Sequence, residues 1–154
     1  MKSRNLLLAV FVCLFAVAMY AAENPNMGTW KLNEAKSKFA PGAAKNSTVV
    51  YEAMGDEVKV TVDGMNSSGQ PTHNEWTGKF DGKFYPVTGD PNTDERAYKQ
   101  INDRTMDLTT RKGGKVTATG QIVVAADGKS RTVTIKSADS MGKTATSTAV
   151  YDKQ

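Results

Sequence analysis

Apolar and polar positions alternate in short segments along most of this chain, beginning near Thr48. In Val58-Lys59-Val60-Thr61-Val62 every second side chain is apolar, which is the period of a β-strand that buries one face. This segment follows Met54-Gly55-Asp56-Glu57, whose residues favour a tight turn. The pattern therefore predicts a β-hairpin in which residues 48–53 form the first strand.

The same pattern recurs along the rest of the chain. β-Branched and aromatic residues fill each segment, and Gly, Asp or Asn separates it from the next one. Together with an opening strand that contains Trp30, the pattern predicts nine to ten strands, the later ones at residues 73–80, 84–87, 95–101, 105–111, 116–124, 130–137 and 144–151. A polar loop is predicted at 88–94. Residues 33–39 are predicted to form one or two helical turns, which Pro41-Gly42 ends.

Short connections between consecutive strands determine the predicted architecture. They favour an antiparallel up-and-down meander, and a meander of this length protects its edge strands best by closing into a barrel. An open two-sheet sandwich is the alternative, but it needs long crossovers, for which the short turns after Asn102 leave little room. The sequence therefore predicts an all-β, antiparallel up-and-down β-barrel in one domain, residues 23–154.

The N-terminus has the layout of a secretory signal peptide. Lys2 and Arg4 precede an apolar run at residues 6–19, and the small residues Ala21 and Ala22 follow. The run is shorter than the ~20 residues of a membrane-spanning helix, although a short uncleaved anchor is the alternative. We predict that residues 1–22 are a signal peptide, cut after Ala21 or Ala22, and that the protein is exported to the periplasm or the medium with no membrane span.

Composition narrows the possible functions further. Cys13, the only cysteine, leaves with the signal peptide, so the mature domain has no thiol chemistry and no disulfides. Loss of Lys2 and Arg4 reduces the formal net charge from +4 to +2. The remaining basic residues are interleaved with acidic ones, which argues against a nucleic-acid partner. We expect a monomer.

No group of residues in the chain has the pattern of a catalytic or metal site. His73, the only histidine, lies in a polar segment at a strand start and is expected at the surface. Asp90, Asn92 and Asp94 have the spacing that opens a calcium loop, but the glycine and glutamate positions of that loop hold Glu95 and Ile101. We expect no enzyme activity, no metal and no cofactor.

Three segments of the chain match motifs of a known group of barrels. Met27-Gly28-Thr29-Trp30-Lys31-Leu32 resembles the opening Gly-x-Trp strand of the calycin barrels, the group that includes lipocalins and fatty-acid-binding proteins. Val150-Tyr151-Asp152-Lys153 is similar to the last strand of fatty-acid-binding proteins. The hairpin at residues 54–60 is similar to their Asn-Gly-Asp hairpin. The resemblance implies a barrel closed at the bottom by Trp30, with Arg131 stacked across that indole and donating hydrogen bonds to nearby carbonyls.

The chain also departs from that family. Ala149 stands where fatty-acid-binding proteins have the arginine that holds a carboxylate, and the segment between Trp30 and Thr48 is too short for their two-helix lid. The resemblance implies a cavity for a small apolar or amphipathic ligand, and the loss of the arginine favours a neutral one. The predicted ligand-binding residues are Trp30, Tyr51, Trp76, Tyr98, Arg131 and Tyr151. The alternative is a ligand-free structural or interaction protein of the cell envelope or the secretome.

The interior itself has two possible states. A barrel of this size is barely wider than the side chains that fill it, so its aromatic residues could line a cavity or pack into a solid core, and a filled core is our first expectation. The residues of the last strand favour a cavity instead. If Tyr151 faces inward, the two-residue period turns Ala145, Ser147 and Ala149 inward too, and such small side chains leave space unfilled.

Overall fold

The computed structural model describes residues 23–138 and 141–154; the predicted signal peptide, residues 1–22, lies outside the described residues. A short 3-10 helix, Glu34–Lys36, follows the first strand. The ten strands, numbered in chain order, are β1 Gly28–Leu32, β2 Lys45–Met54, β3 Glu57–Met65, β4 Pro71–Gly78, β5 Tyr85–Thr88, β6 Glu95–Asn102, β7 Thr105–Lys112, β8 Lys115–Val124, β9 Ser130–Ala138 and β10 Thr144–Lys153.

The strands form one closed antiparallel barrel. Each strand pairs with the strands before and after it in the chain, and β1 pairs with β10 to close the sheet. In that closing pair Trp30 lies opposite Lys153, and Leu32 lies opposite Tyr151. The predicted antiparallel up-and-down barrel is therefore confirmed, and the sandwich alternative is wrong because no crossover connection interrupts the order of the strands.

Turn chemistry explains why the strand ends agree with the sequence pattern. Gly55 has φ 66° in the β2–β3 turn, and Gly113 and Gly114 have φ 55° and 76° in the β7–β8 turn, a region that glycine enters without steric cost. Most strands extend one to three residues beyond their predicted ends. The predicted helical turns reduce to a three-residue 3-10 helix, which Asn33 caps by accepting a hydrogen bond from the Lys36 amide.

One end of the barrel is filled, and we call it the packed end. Its inward side chains are fully or almost fully buried and comprise Trp30, Val60, Trp76, Met106 and Val124. The chain before β1 covers this end, since the Trp30 indole N–H donates to the Asn26 carbonyl oxygen at 2.8 Å. Asn26 itself is fully buried. The prediction that Trp30 closes the bottom of the barrel is confirmed.

Aromatic contacts hold Trp76 in the packed end. Its ring lies 4.8 Å from the Tyr98 ring and 5.7 Å from the Tyr85 ring, both edge to face, and it stacks on Phe80 at 6.3 Å. Its indole N–H donates to the Arg96 carbonyl oxygen at 2.9 Å. Such contacts add to the burial of a large apolar surface, so this end of the barrel is a filled base for the space above it.

Within the described residues, no helix has the length and apolar character to cross a membrane.

Candidate ligand-binding cavity

The half of the barrel above the packed end encloses a cavity of about 720 Å³. This volume falls within the range of about 300–1,000 Å³ that is typical of small-molecule sites. Its lining extends to exposed residues at one end of the barrel, among them Asn92 in the loop between β5 and β6 and Lys112 at the end of β7. The cavity is therefore continuous with solvent at the end of the barrel opposite Trp30, which we call the open end.

Aliphatic side chains form the middle of the cavity wall. They alternate with outward-facing residues along their strands, as the two-residue period predicts. They come from both sides of the barrel and comprise Val49, Val62, Leu108, Ile122, Val133 and Ile135. A ligand that fills this level exchanges water for apolar contact at about 25 cal/mol per Å² of buried apolar surface.

Small residues on β10 explain why the barrel is not solid. Ser147, Ala149 and Tyr151 all line the cavity, so the inward face predicted for this strand is confirmed at these three positions; Ala145 is not part of the lining. Ala118 on β8 contributes a second small side chain. Because these methyl and hydroxymethyl groups do not reach the opposite wall, the first expectation of a filled core is wrong above the packed end.

The wall near the open end is polar. Thr72, Thr110, Thr117 and Ser137 line it with hydroxyl groups, and Asn66 with an amide. The hydroxyls of Thr110 and Thr117 lie 2.9 Å apart and share one hydrogen bond. A ligand therefore passes polar groups on entry and meets the aliphatic level below them.

Arg131 lies at the bottom of the cavity, among aromatic rings. Its side chain is only 2% exposed, and its guanidinium carbon lies 4.7 Å from the Trp30 ring centre, 4.8 Å from that of Tyr51 and 5.1 Å from that of Tyr151. These are cation–π distances, so the predicted stacking on Trp30 is confirmed. The predicted hydrogen bonds to carbonyls are absent at two nitrogens: Nε and Nη1 are buried, and neither has a partner among the described residues.

A second buried guanidinium, Arg96 on β6, lines the same cavity. Arg96 is 7% exposed, and its Nη2 donates to the Asn74 amide oxygen at 3.0 Å. Its Nη1 is buried without a partner in the described part of the chain. None of the ion pairs found among residues 23–138 and 141–154 includes Arg96 or Arg131.

The charges around the cavity are mainly positive. Three cationic side chains line it, Arg96, Arg131 and the rim residue Lys112, against one carboxylate, Asp90. Asp90 belongs to the β5–β6 loop, where its Oδ1 accepts a hydrogen bond from the Asn92 amide at 2.9 Å. The base of the cavity therefore has a positive potential that a bound anion would neutralise.

The tyrosines at the base are neutral hydrogen-bonding groups. Burial raises the pKa of the Tyr151 hydroxyl to about 12, although the positive charge of Arg131 acts in the opposite direction. Burial also raises the pKa of Tyr98, with the neighbouring Tyr51 adding to the effect and the charge of Arg96 opposing it. At neutral pH both tyrosines stay protonated, so they do not serve as counterions for the two arginines.

Four of the six predicted ligand-binding residues lie together at the cavity, namely Tyr51, Tyr98, Arg131 and Tyr151. Trp30 and Trp76 do not line it. Both indole N–H groups are bonded to main-chain oxygens, and both rings are buried in the packed end, so these two predicted residues lie below the cavity and not in its wall.

Arg96 was not predicted as a site residue, although the two-residue period of its strand offered a signal. Arg96 is two residues before Tyr98, and residues two apart on a strand face the same side. Once Tyr98 is assigned to the interior, Arg96 follows it there. The same reasoning places Asn74, its hydrogen-bond partner, on the inner face with Trp76.

His73 does not line the cavity and lies on the outer surface of β4. Its Nδ1 is 2.6 Å from the Asp63 carboxylate, and its side chain is 57% exposed. The hydrogen bond to Asp63 raises the pKa of His73. The expectation of a surface histidine is confirmed.

Comparisons with known proteins give little further information. No protein-family model matches this chain, and no curated protein matches it either. Among solved structures, the chain is similar to lobster apocrustacyanin A1, with 12% sequence identity, a TM-score of 0.42 and a match over 86% of this chain. The match covers 63% of the length of the lobster protein. The barrel and cavity described above stand on the geometry of this chain.

Proposed function

We propose that this protein is an exported binding protein that holds one small amphipathic ligand in its barrel. The observation that carries the proposal is the cavity of about 720 Å³, with an aliphatic middle, polar groups at its mouth and a closed base. A barrel that served only as a rigid scaffold would gain stability from a filled interior. The open space therefore favours ligand binding over the scaffold alternative.

The charged groups at the base of the cavity favour binding without catalysis. An arginine side chain has hydrogen-bond donors and no acceptor, so Arg96 and Arg131 are suited to holding a ligand and not to accepting a proton from a substrate. The tyrosines beside them have raised pKa values and keep their protons at neutral pH. These groups are suited to holding and orienting a ligand.

Two further features support an exported monomer. Residues 1–22 have the charge and hydrophobicity pattern of a signal peptide. The closed barrel leaves no unpaired edge strand in the described chain, and an unpaired edge is a common route to association between chains.

A blocking variant tests the proposal. Ala149→Phe places a benzyl group inside the cavity, whereas Thr146→Phe places the same group on the exposed outer face of the same strand. We expect a neutral apolar fluorophore or a fluorescent fatty acid to bind the unmodified protein and Thr146→Phe with one site per chain. We expect Ala149→Phe to reduce that affinity at least tenfold. Equal binding by both variants, or no binding of either probe, would refute the cavity as the ligand site.

A further inference from the structure

We infer that Arg96 and Arg131 form an anion subsite at the base of the cavity, and that the ligand is an organic anion with a carboxylate head group and an apolar body. The inference rests on the proposed function and specifies the chemistry of its ligand. It also reverses the preference for a neutral ligand, because that preference considered only the arginine replaced by Ala149. The carboxylate enters first and the apolar body fills the level above it.

Both arginines are buried without an anionic partner, which is costly. A buried charge is ordinarily paired, and buried polar atoms ordinarily have hydrogen-bond partners. Arg96 and Arg131 are 7% and 2% exposed. Between them they leave three buried nitrogens, Nη1 of Arg96 and Nε and Nη1 of Arg131, without a partner in the described chain. A bound carboxylate supplies both the charge and the acceptors that these donors lack.

The two guanidinium groups also border one space. Tyr51 and Tyr98 lie between them: the Tyr51 ring centre is 4.8 Å from the Arg131 guanidinium carbon and 6.1 Å from the Tyr98 ring centre. Tyr98 is two residues from Arg96 on the inner face of β6. All four residues line the cavity. Both guanidinium groups therefore face one cavity, and an anion bound at its base lies in the electric field of both cations.

The surroundings of the two arginines indicate which kind of anion binds there. The planar guanidinium fork matches the two oxygens of a carboxylate, and the aliphatic level directly above the arginines suits an apolar body. An inorganic anion would leave that level occupied by water. Asp90 is the only carboxylate in the lining, and neither arginine has a carboxylate oxygen within 4.0 Å among the described residues. The subsite therefore favours an external carboxylate.

The test compares one probe in charged and uncharged form. The purified full chain is titrated with a fluorescent fatty acid of 12 to 16 carbons and with its methyl ester, which has the same body and no charge. We expect the acid to bind at least tenfold more tightly than the ester. Equal affinity for the two would overturn the anion subsite and leave the proposed function standing, whereas binding of neither would overturn the proposed function itself.

Two variants test whether the preference for the acid over the ester comes from Arg96. Arg96→Gln removes the cation and keeps an amide that can donate to Asn74, while Lys99→Gln removes an exposed cation on the same strand that does not line the cavity. We expect Arg96→Gln to weaken binding of the acid at least tenfold with ester binding changed less than twofold, and Lys99→Gln to change both little. Equal losses for acid and ester in Arg96→Gln would mean that Arg96 only supports the wall, which would refute the subsite. The comparison of acid and ester on the unmodified protein decides the inference even if a variant does not fold.

Discussion

Two valines on β3 provide a direct test of where the barrel is filled and where it is empty. Val60 and Val62 face the interior two residues apart and are both buried. Val60 belongs to the packed end, whereas Val62 lines the cavity. Replacing either with isoleucine adds one methylene and keeps the β-branched shape, so the two variants differ only in the space that receives the added group.

The two substitutions should change the free energy of unfolding in opposite directions. At Val62 the added methylene finds space and contributes up to about 0.8 kcal/mol of apolar burial. At Val60 it meets a filled core, and overpacking costs roughly 1–3 kcal/mol. With a shift of about 2–4 °C per kcal/mol for a chain of this size, we expect Val62→Ile to raise Tm by about 2–3 °C and Val60→Ile to lower it by about 2–12 °C.

Thermal unfolding followed by circular dichroism at one pH and one protein concentration measures both shifts. Urea denaturation provides the matching free energies and shows whether the unfolding slope stays constant. A comparable loss of stability in both variants would refute the reasoning, because it would mean that the space beside Val62 closes in solution. A gain in both would show that the packed end is loosely filled.

Other predictions concern single sites. Gly64→Ala should destabilise the barrel by more than about 1 kcal/mol in urea denaturation, because its new Cβ meets the Lys45 carbonyl oxygen inside van der Waals contact; an unchanged midpoint would contradict this. Asp63→Asn should lower the pKa of His73 toward its usual value in an NMR titration, since the Asp63 hydrogen bond raises it. The raised pKa makes this contact stabilising below about pH 6.5, and the stabilisation is lost as the pH rises through the folded-state value. The intact mass of protein exported by its host should correspond to cleavage near Ala22, and retention of residues 1–22 would contradict export by a cleaved signal peptide.

The sequence was informative about the fold because local signals determine this topology. Alternation in segments such as residues 58–62 predicted the strands, and glycine-containing turns such as Gly113-Gly114 predicted their ends. Short connections also implied the neighbours of most strands. The closing pair, β1 with β10, had to be inferred from the general need to protect edges.

The interior was harder to predict, since it depends on which side chains meet across the barrel. The period turns Trp30 and Tyr51 inward alike, but it does not indicate their depth along the barrel axis. Their depth depends on the stagger of the strands and on contacts such as the indole bond to Asn26. For the same reason the sequence could not distinguish a filled core from a cavity, and it placed Arg131 at the site without Arg96, which lines the same cavity.

Native mass spectrometry tests most directly whether one small organic anion occupies the cavity. The protein is incubated with a small-molecule extract of its own host, freed of excess solute and measured beside the Ala149→Phe variant treated in the same way. We predict one adduct per chain on the unmodified protein, a carboxylic acid with an apolar body, and none on the variant. Detection of only the bare chain mass, or of the same adduct on both proteins, would contradict the binding of an organic anion in this cavity.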